Sequence, residues 1–298
     1  MKLILRAKGF ATFSFHERGF TLIELLIVIA VVGVLGGGVL IAIDPAGKIS
    51  SANLAVAETF SASMQNNLAF DLVGEWTFDD GSLSPVTDTS GYGNNGSIAG
   101  SGVITTTDRR ERSNKALGFD GNGDYVSIGN RTSLNSLSRF TLTAWIKMND
   151  RKYIPTIINK GPEAAAQHFW WGIQSNDTLW LEVGDSSGWI QYNSTAVPWV
   201  LGKWYFVAVT LNNDIKQIKH YRNGALINIR TYSGRDFNSG TYDSYIGRYY
   251  GIDPTNYDFN GSIDDVRIYK QAFSLSQAQQ LYAQGLPSHL LTSNIFHF

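Results

Sequence analysis

The chain has 298 residues, 43% of them hydrophobic and 16% charged, with a formal net charge of −1 and no cysteine. A near-neutral balance without a sustained basic stripe argues against a nucleic-acid partner. The lack of thiols excludes a disulfide framework, a thiol nucleophile and a cysteine metal site, but not export, because a large two-layer core needs no covalent staples. With 30 Gly, 16 Phe, 14 Tyr and 8 Trp, the composition suits an exported all-β domain with many turns.

Residues 1–19 carry Lys2, Arg6, Lys8 and Arg18, and from Leu25 to Ile43 there is no charged residue. At about 1.5 Å of helical rise per residue, that run is long enough to cross a hydrocarbon core. The basic excess stays on the cytoplasmic side, which places everything after Ile43 outside. No small-residue cleavage site follows the apolar run. Glu24 sits just inside its edge, where a carboxylate needs a local cation. Cutting after Gly19 would supply one, the new ammonium of Phe20, four residues away on the same helical face.

The basic leader ending in Gly19, then Phe20-Thr-Leu-Ile-Glu24 and the apolar run, resembles the N-terminus of type IV pilins and pseudopilins. The resemblance implies a leader peptide over 1–19, cut between Gly19 and Phe20 by a prepilin peptidase that also methylates the Phe20 amine. It implies a transmembrane or filament-core helix over 20–43, with Glu24 pairing with a neighbouring subunit as the inner-membrane machinery assembles a filament. Gly33 and Gly36 to Gly38 lie inside that helix, and the three consecutive glycines weaken it by about 2–3 kcal/mol. Close helix packing and, as the resemblance implies, local melting on entry into a filament both account for them.

Asp44-Pro45-Ala46-Gly47 is a break or kink. Leu54, Ala57, Phe60, Met64 and Leu68 then form one apolar stripe. Residues 44–70 therefore read as a kink and an amphipathic continuation, its stripe against the first sheet of the next domain or against neighbouring subunits.

After Asp71 the period changes from about 3.6 to 2. Strands are expected from Val73, around the glycine-rich loop between Ala116 and Ile128, and over 140–148, 155–159, 169–174, 178–183, 188–192, 203–211, 218–222, 225–232, 245–247 and 259–269. Asn223-Gly224 is a tight-hairpin signal. So many strands without a long intervening helix make two packed sheets. A short helix capped by Ser274 or Ser276 follows. Residues 286–298 form an apolar tail able to dock on the domain or a partner.

Trp76-Thr-Phe-Asp-Asp-Gly, Asp88-Thr-Ser-Gly-Tyr-Gly-Asn, Leu117-Gly-Phe-Asp-Gly with Asp124-Tyr-Val, Phe140-Thr-Leu-Thr-Ala-Trp-Ile, Lys203-Trp-Tyr-Phe-Val-Ala, Tyr221-Arg-Asn-Gly and Phe259-Asn-Gly-Ser-Ile-Asp-Asp-Val-Arg-Ile-Tyr occur in this order. Together they resemble the laminin-G-like, concanavalin A-like jelly roll, over about 72–285. The expected fold class is all-β, a two-sheet jelly roll carried on a long N-terminal pilin-like α-helix.

The same resemblance implies a structural Ca2+ where turns meet, with Asp88, Asn94, Asp120 and Asp264 as ligands and Glu75 and Asp265 in reserve. Calcium takes six to eight oxygens; the plainer reading is that turn Asp and Asn bond their own backbone. Trp189, Tyr192, Trp199, Tyr249, Tyr250 and Tyr257 lie outside the alternating core pattern. They form the candidate ligand surface, for stacking on sugars or packing on protein. Trp170 and Trp171 must face opposite ways in a strand, so at most one enters the core and the other is covered by the stalk or exposed. Catalysis finds no support: Glu182 stands alone in its strand with Asp185 beyond it, and glycoside hydrolysis needs a carboxylate pair. His168, His220, His289 and His297 form no ligand-spaced cluster.

The expected function is a structural subunit of a type IV pilus-like or pseudopilus filament displaying a jelly roll for surface binding. The alternatives are a minor pilin or adhesin, a membrane-anchored calcium-dependent carbohydrate- or protein-binding module, and a type II secretion pseudopilin. Expected partners are the prepilin peptidase, the assembly machinery, other pilin subunits, and surface glycans or proteins. The chain is expected to start as a single-pass inner-membrane protein with its jelly roll outside the cytoplasm, then to enter an extracellular filament or periplasmic pseudopilus.

Overall fold

The computed structural model describes residues 68–162, 167–185, 188–233, 236–237, 239–250 and 254–286. Contacts divide the chain into Met1–Gln65 and Asn66–Phe298, and every described residue belongs to the second unit. Gly19, Phe20, Glu24, the helix over 20–43, the continuation up to residue 67 and the tail from residue 287 lie outside the described residues. Among the described residues no helix is long and apolar enough to cross a membrane.

In chain order the strands are β1 (Leu72–Trp76), β2 (Ser97–Ala99), β3 (Ile104–Thr106), β4 (Ala116–Asp120), β5 (Tyr125–Gly129), β6 (Arg139–Met148), β7 (Thr156–Lys160), β8 (Phe169–Ile173), β9 (Leu179–Asp185), β10 (Gly188–Asn193), β11 (Trp204–Asn212), β12 (Gln217–Arg222), β13 (Ala225–Thr231), β14 (Ser244–Ile246) and β15 (Asn260–Tyr269). A helical turn α1 (Pro254–Tyr257) precedes β15, and helix α2 (Leu275–Gly285) follows it. One sheet runs β13-β12-β11-β6-β15-β4-β3, with β1 also on β15; the other runs β10-β9-β8-β7-β14-β5-β2. The two antiparallel sheets form a jelly-roll-like all-β domain. Asn223 and Gly224 join β12 to β13 with φ of 51° and 74°, the left-handed pair that a two-residue hairpin demands.

Alternation along each strand builds the core. Phe140, Leu142, Ala144 and Ile146 of β6 face Phe169, Trp171 and Ile173 of β8 in one buried cluster. On the outside of the β6 sheet, Trp145, Phe206, Tyr221 and Tyr269 form a second cluster with Ala278 and Leu281 of α2 and with Leu68. The helix thus covers a face that would otherwise be wet. Its start is a capping box, Ser274 and Gln277 each satisfying the other's backbone N–H.

Trp170 corrects an expectation. It and Trp171 do face opposite ways, yet both are buried, at 4% and 0% exposure. Trp170 lies on the outer face of the second sheet in a cluster with Ile154 and Trp180, against which Tyr249 and Tyr257 pack. Its indole N–H donates to Thr156 Oγ1 at 2.8 Å. The segment after β14 provides the cover, so no stalk is needed for it.

Antiparallel pairing also defines the two ends of the sandwich. Tyr269 pairs with both Leu72 and Thr141, and Arg139 with Asn212. The end where the chain enters therefore also holds the start of β6 and the 213–216 turn. Asp120 pairs with Asn260 and Met148 with Gly261, which puts loops 121–124 and 149–155 and residues 258–259 at the opposite end. Loop 174–178 joins them there, because Ser175 N donates to the Tyr153 carbonyl at 2.9 Å.

Candidate ligand-binding surfaces

The four expected calcium ligands are spread over three places. Asp88 Oδ1 accepts from the backbone N–H of Glu75 (2.9 Å) and Ser90 (3.0 Å). Its Oδ2 accepts from the Asn94 N–H (2.7 Å) and the Ser90 hydroxyl (2.9 Å). The Asn94 amide donates to the Val73 carbonyl at 2.7 Å and accepts from the Ser133 hydroxyl at 3.0 Å. These groups lock the 88–96 turn onto β1, with the Trp76 indole N–H donating to the Asn94 carbonyl at 3.0 Å.

Asp264 is instead held by Arg109, whose other terminal nitrogen reaches Asp265 at 2.9 Å. Arg267 in turn pairs with Glu75 and Asp265, each at 2.8 Å. Three carboxylates thus share two guanidinium groups, and the surplus charge falls where solvation is poorest. Asp264 is fully buried and its Oδ1 has no hydrogen-bond partner. Burial pushes its carboxyl up to about 7 against the pull of Arg109.

Asp120 belongs to a third group. Its carboxylate accepts from the Asn122 N–H at 2.7 Å, and it sits beside Asp124, which burial pushes upward, backbone N–H groups of Gly102 and Asp120 pull down, and the Asp120 side chain raises through a hydrogen bond and its charge. Asp258 accepts from the Gly123 N–H at 2.9 Å, and burial raises it to about 6. As arranged, the four expected residues do not fit one six-oxygen shell. Among the described residues no group of three or more His, Asp or Glu side chains could hold a metal ion.

The aromatic candidates also divide. Trp199 is 3% exposed; its indole N–H donates to the Asp177 carbonyl at 3.1 Å and Arg222 stands over its ring. It offers no surface, because the loop before β11 folds back over the core. Tyr192 packs inward on Tyr232 and Phe237. Tyr249 stacks on Trp170 with ring centroids 4.2 Å apart, and Tyr257 meets both rings at 5.3 Å. Trp189 and Tyr250 are exposed, at 44% and 45%. Tyr250 leans on Tyr245, which meets Tyr125 edge-on. The structure adds Tyr153, absent from the sequence candidates, 49% exposed and braced edge-on by Tyr257. Its place in the Arg151-Lys-Tyr-Ile-Pro155 loop gives no periodic signal.

At the chain-entry end, a cleft of about 340 Å³ is lined by Ser138, Asn213, Asp214, Lys216, Asp236 and Phe237. Asp214 pairs with Arg139 and Asp236 with Lys216. Asn213 is fixed by the Tyr232 hydroxyl and the Phe237 N–H on its oxygen, and donates to the Phe237 carbonyl.

Contrary to expectation, β9 runs on to Asp185, so Glu182 is not alone in its strand. Glu182 is 1% exposed, bonded to His168 at 3.1 Å and to the Gln191 amide at 3.3 Å. His220 is wholly buried, and desolvation pushes its imidazole down to about 3.

These features stand beside a family match. The model of the concanavalin A-like lectin/glucanases superfamily matches residues 120–279, more than half of the chain, and the chain belongs to that superfamily. A prokaryotic N-terminal methylation motif matches residues 14–40, so a prepilin-type N-terminus is fused to the jelly-roll domain. No curated protein matches.

Among solved structures, domain 4 of AbnA, a GH43 extracellular arabinanase from Geobacillus stearothermophilus in complex with arabinotriose, is 21% identical with a TM-score of 0.54, covering 71% of this chain and 98% of that one. The binding domain of Paraclostridial Mosquitocidal Protein 1 is 18% identical with a TM-score of 0.57, covering 73% of this chain and 53% of that one. The botulinum neurotoxin serotype D ligand-binding domain, in complex with N-acetylneuraminic acid, is 18% identical with a TM-score of 0.56, covering 74% and 52%. The chain spans about half the length of these two toxin domains. At such identities the likeness is one of fold.

Proposed function

We propose that this chain is a minor, surface-displayed binding subunit. Its prepilin-type N-terminus is cut after Gly19 and brings it, through the inner membrane, into a type IV pilus-like or pseudopilus filament. Its jelly roll then binds a carbohydrate or a protein outside the cytoplasm. One observation carries the reading: a methylation motif at 14–40 and a lectin-superfamily domain at 120–279 occur in a single chain. Binding rather than catalysis fits the locked Glu182 and the ion-paired acids. A major structural subunit is the rival, but a head of this size is more than a filament lattice needs.

The deciding experiment is N-terminal peptide and intact-mass analysis of sheared surface material. The expected result is a chain beginning at N-methylated Phe20 and scarce relative to the main filament protein. The same species as the dominant filament component would make it a structural pilin. An uncut chain confined to membranes would overturn the export route altogether.

A further inference from the structure

The turn before β11 lifts two aliphatic side chains into solvent at the end of the sandwich opposite the chain entry. Val200 and Leu201 are 61% and 44% exposed. They are the first two residues of a four-residue turn, closed by the Lys203 N–H on the Val200 carbonyl at 3.3 Å. Gly202 supplies the positive φ, 75°, that such a turn takes at its third position. The turn is pinned twice. Val200 N donates to the Tyr205 hydroxyl at 3.0 Å, and Gly202 N donates to the Met148 carbonyl at 2.8 Å. A tip fixed in this way loses little freedom when it is covered.

Cations surround the tip, and they face aromatic rings in place of carboxylates. Lys203 stands over the Tyr205 ring at 5.8 Å, Lys147 over Trp204 at 5.1 Å and Arg222 over Trp199 at 5.2 Å. Among the described residues none of the three pairs with an acid. Asp177, which accepts the Trp199 indole N–H on its carbonyl, has its charge cancelled by Arg151 at 2.7 Å. Asp150 is half-buried and engaged by the Asn260 amide at 2.6 Å. Asp120, Asp124 and Asp258 share this end of the sandwich with Lys152 and Arg248, but on the β4 side. In the order β11-β6-β15-β4, β4 lies three strand steps from β11, about 14 Å. That exceeds the screening length of ~8 Å at physiological salt. The corner carried by β6, β11 and β12 is therefore basic.

An aliphatic crest inside a collar of unpaired cations matches the boundary between an anionic headgroup layer and its acyl chains. Aliphatic side chains enter the acyl layer there, while long basic side chains reach up to phosphate. We infer that the 200–203 turn docks on a membrane surface rich in anionic phospholipid. Val200 and Leu201 enter the acyl boundary, and Lys203, Lys147 and Arg222 meet the headgroups. An acidic protein would engage the cations but gives the aliphatic crest no apolar layer to enter. This contact goes beyond the reading above and needs neither glycan binding nor filament entry.

The test is vesicle capture by the full chain, immobilised in phosphatidylcholine nanodiscs so that its apolar run at 25–43 is supplied with lipid. Vesicles of equal parts phosphatidylcholine and phosphatidylserine should be captured, less so as salt rises, and vesicles of phosphatidylcholine alone should not. Lys203→Gln and Lys147→Gln should each weaken capture about fivefold. Val200→Ser and Leu201→Ser should each weaken it about tenfold. Ile215→Ser, a change at a 54% exposed aliphatic residue of the chain-entry end, should leave it unchanged. Leu201→Trp should retain capture and add indole emission that shifts to the blue when vesicles bind. The inference is overturned if anionic vesicles are not captured or if neutral ones are captured equally well. It is also overturned if the lysine changes abolish capture while both serine changes leave it intact, the pattern of a contact for an acidic protein. Filament entry plays no part in this assay, so an uncut chain would sink the reading above and leave this one standing.

Discussion

Asp88 shows how a turn carboxylate can be structural. Its two oxygens take four donors while the residue is 8% exposed, so removing it leaves one buried and two half-buried N–H groups without their acceptor. Asp88→Ala should cost about 2–4 kcal/mol, read as a lower denaturation midpoint with an unchanged slope. Asp264 was legible as a functional-looking acid but not in its actual role. In a regular strand Asp264 and Asp265 would face opposite ways. Between Asp264 and Arg267 the register of β15 shifts, and Asp265 adopts φ 53°, which lets both carboxylates reach Arg109. A bulge of this kind leaves no trace in alternation. Trp199 was read as exposed for the related reason that a loop's return over the core has no periodicity.

At the scale of elements, the sequence was most readable where a local rule sufficed. The long strands β6, β11 and β15 match their expected spans closely, because alternation over nine or ten residues is hard to mistake. The Asn223-Gly224 hairpin and the Ser274 cap were legible as chemistry. The three-residue strands β2 and β3 and the turn α1 were not, since three or four residues are too few for a repeat to stand out. The cap gives a test of its own. Ser274→Ala removes one half of a capping box on a helix that seals the outer face of the β6 sheet. It should destabilise the chain by about 1 kcal/mol, measured as a fall in thermal midpoint, with Ser276→Ala having a smaller effect.

For the whole molecule, buried titrating groups make stability depend on pH. The folded-state values of Asp264 and Asp258, about 7 and about 6, lie above their ordinary 3.8. The folded chain therefore binds more protons there, and the stability these groups add is lost as pH rises through those values. His220 acts the other way. Its folded value of about 3 lies below the ordinary 6.5, so stability falls as pH drops below that ordinary value. From about pH 4 to 6 the two acids outweigh the one imidazole, so on these three groups the thermal midpoint of the full chain should fall as pH rises from about 4 to about 7. Asp264→Asn should flatten that fall, and His220→Gln should steepen it. Assembly offers a further prediction: Glu24→Val should leave cleavage and membrane insertion intact but abolish incorporation into filaments. Incorporation at wild-type yield would remove Glu24 from that role.

The first strand of the sandwich is also paired with the last. β1 lies antiparallel to β15, from Leu72 opposite Tyr269 to Trp76 opposite Val266, and Glu75 and Arg267 tie the two side by side. Any tension between a captured ligand and the tether enters at Leu72 and runs along β1. The ladder bonds lie across that direction, so they resist together in shear instead of opening one by one. Trp76, sealed in the core and bonded to Asn94, anchors the far end of the strand. The place where the chain joins the domain is thus built as a mechanical clamp, suited to a binding head that must hold on while being pulled.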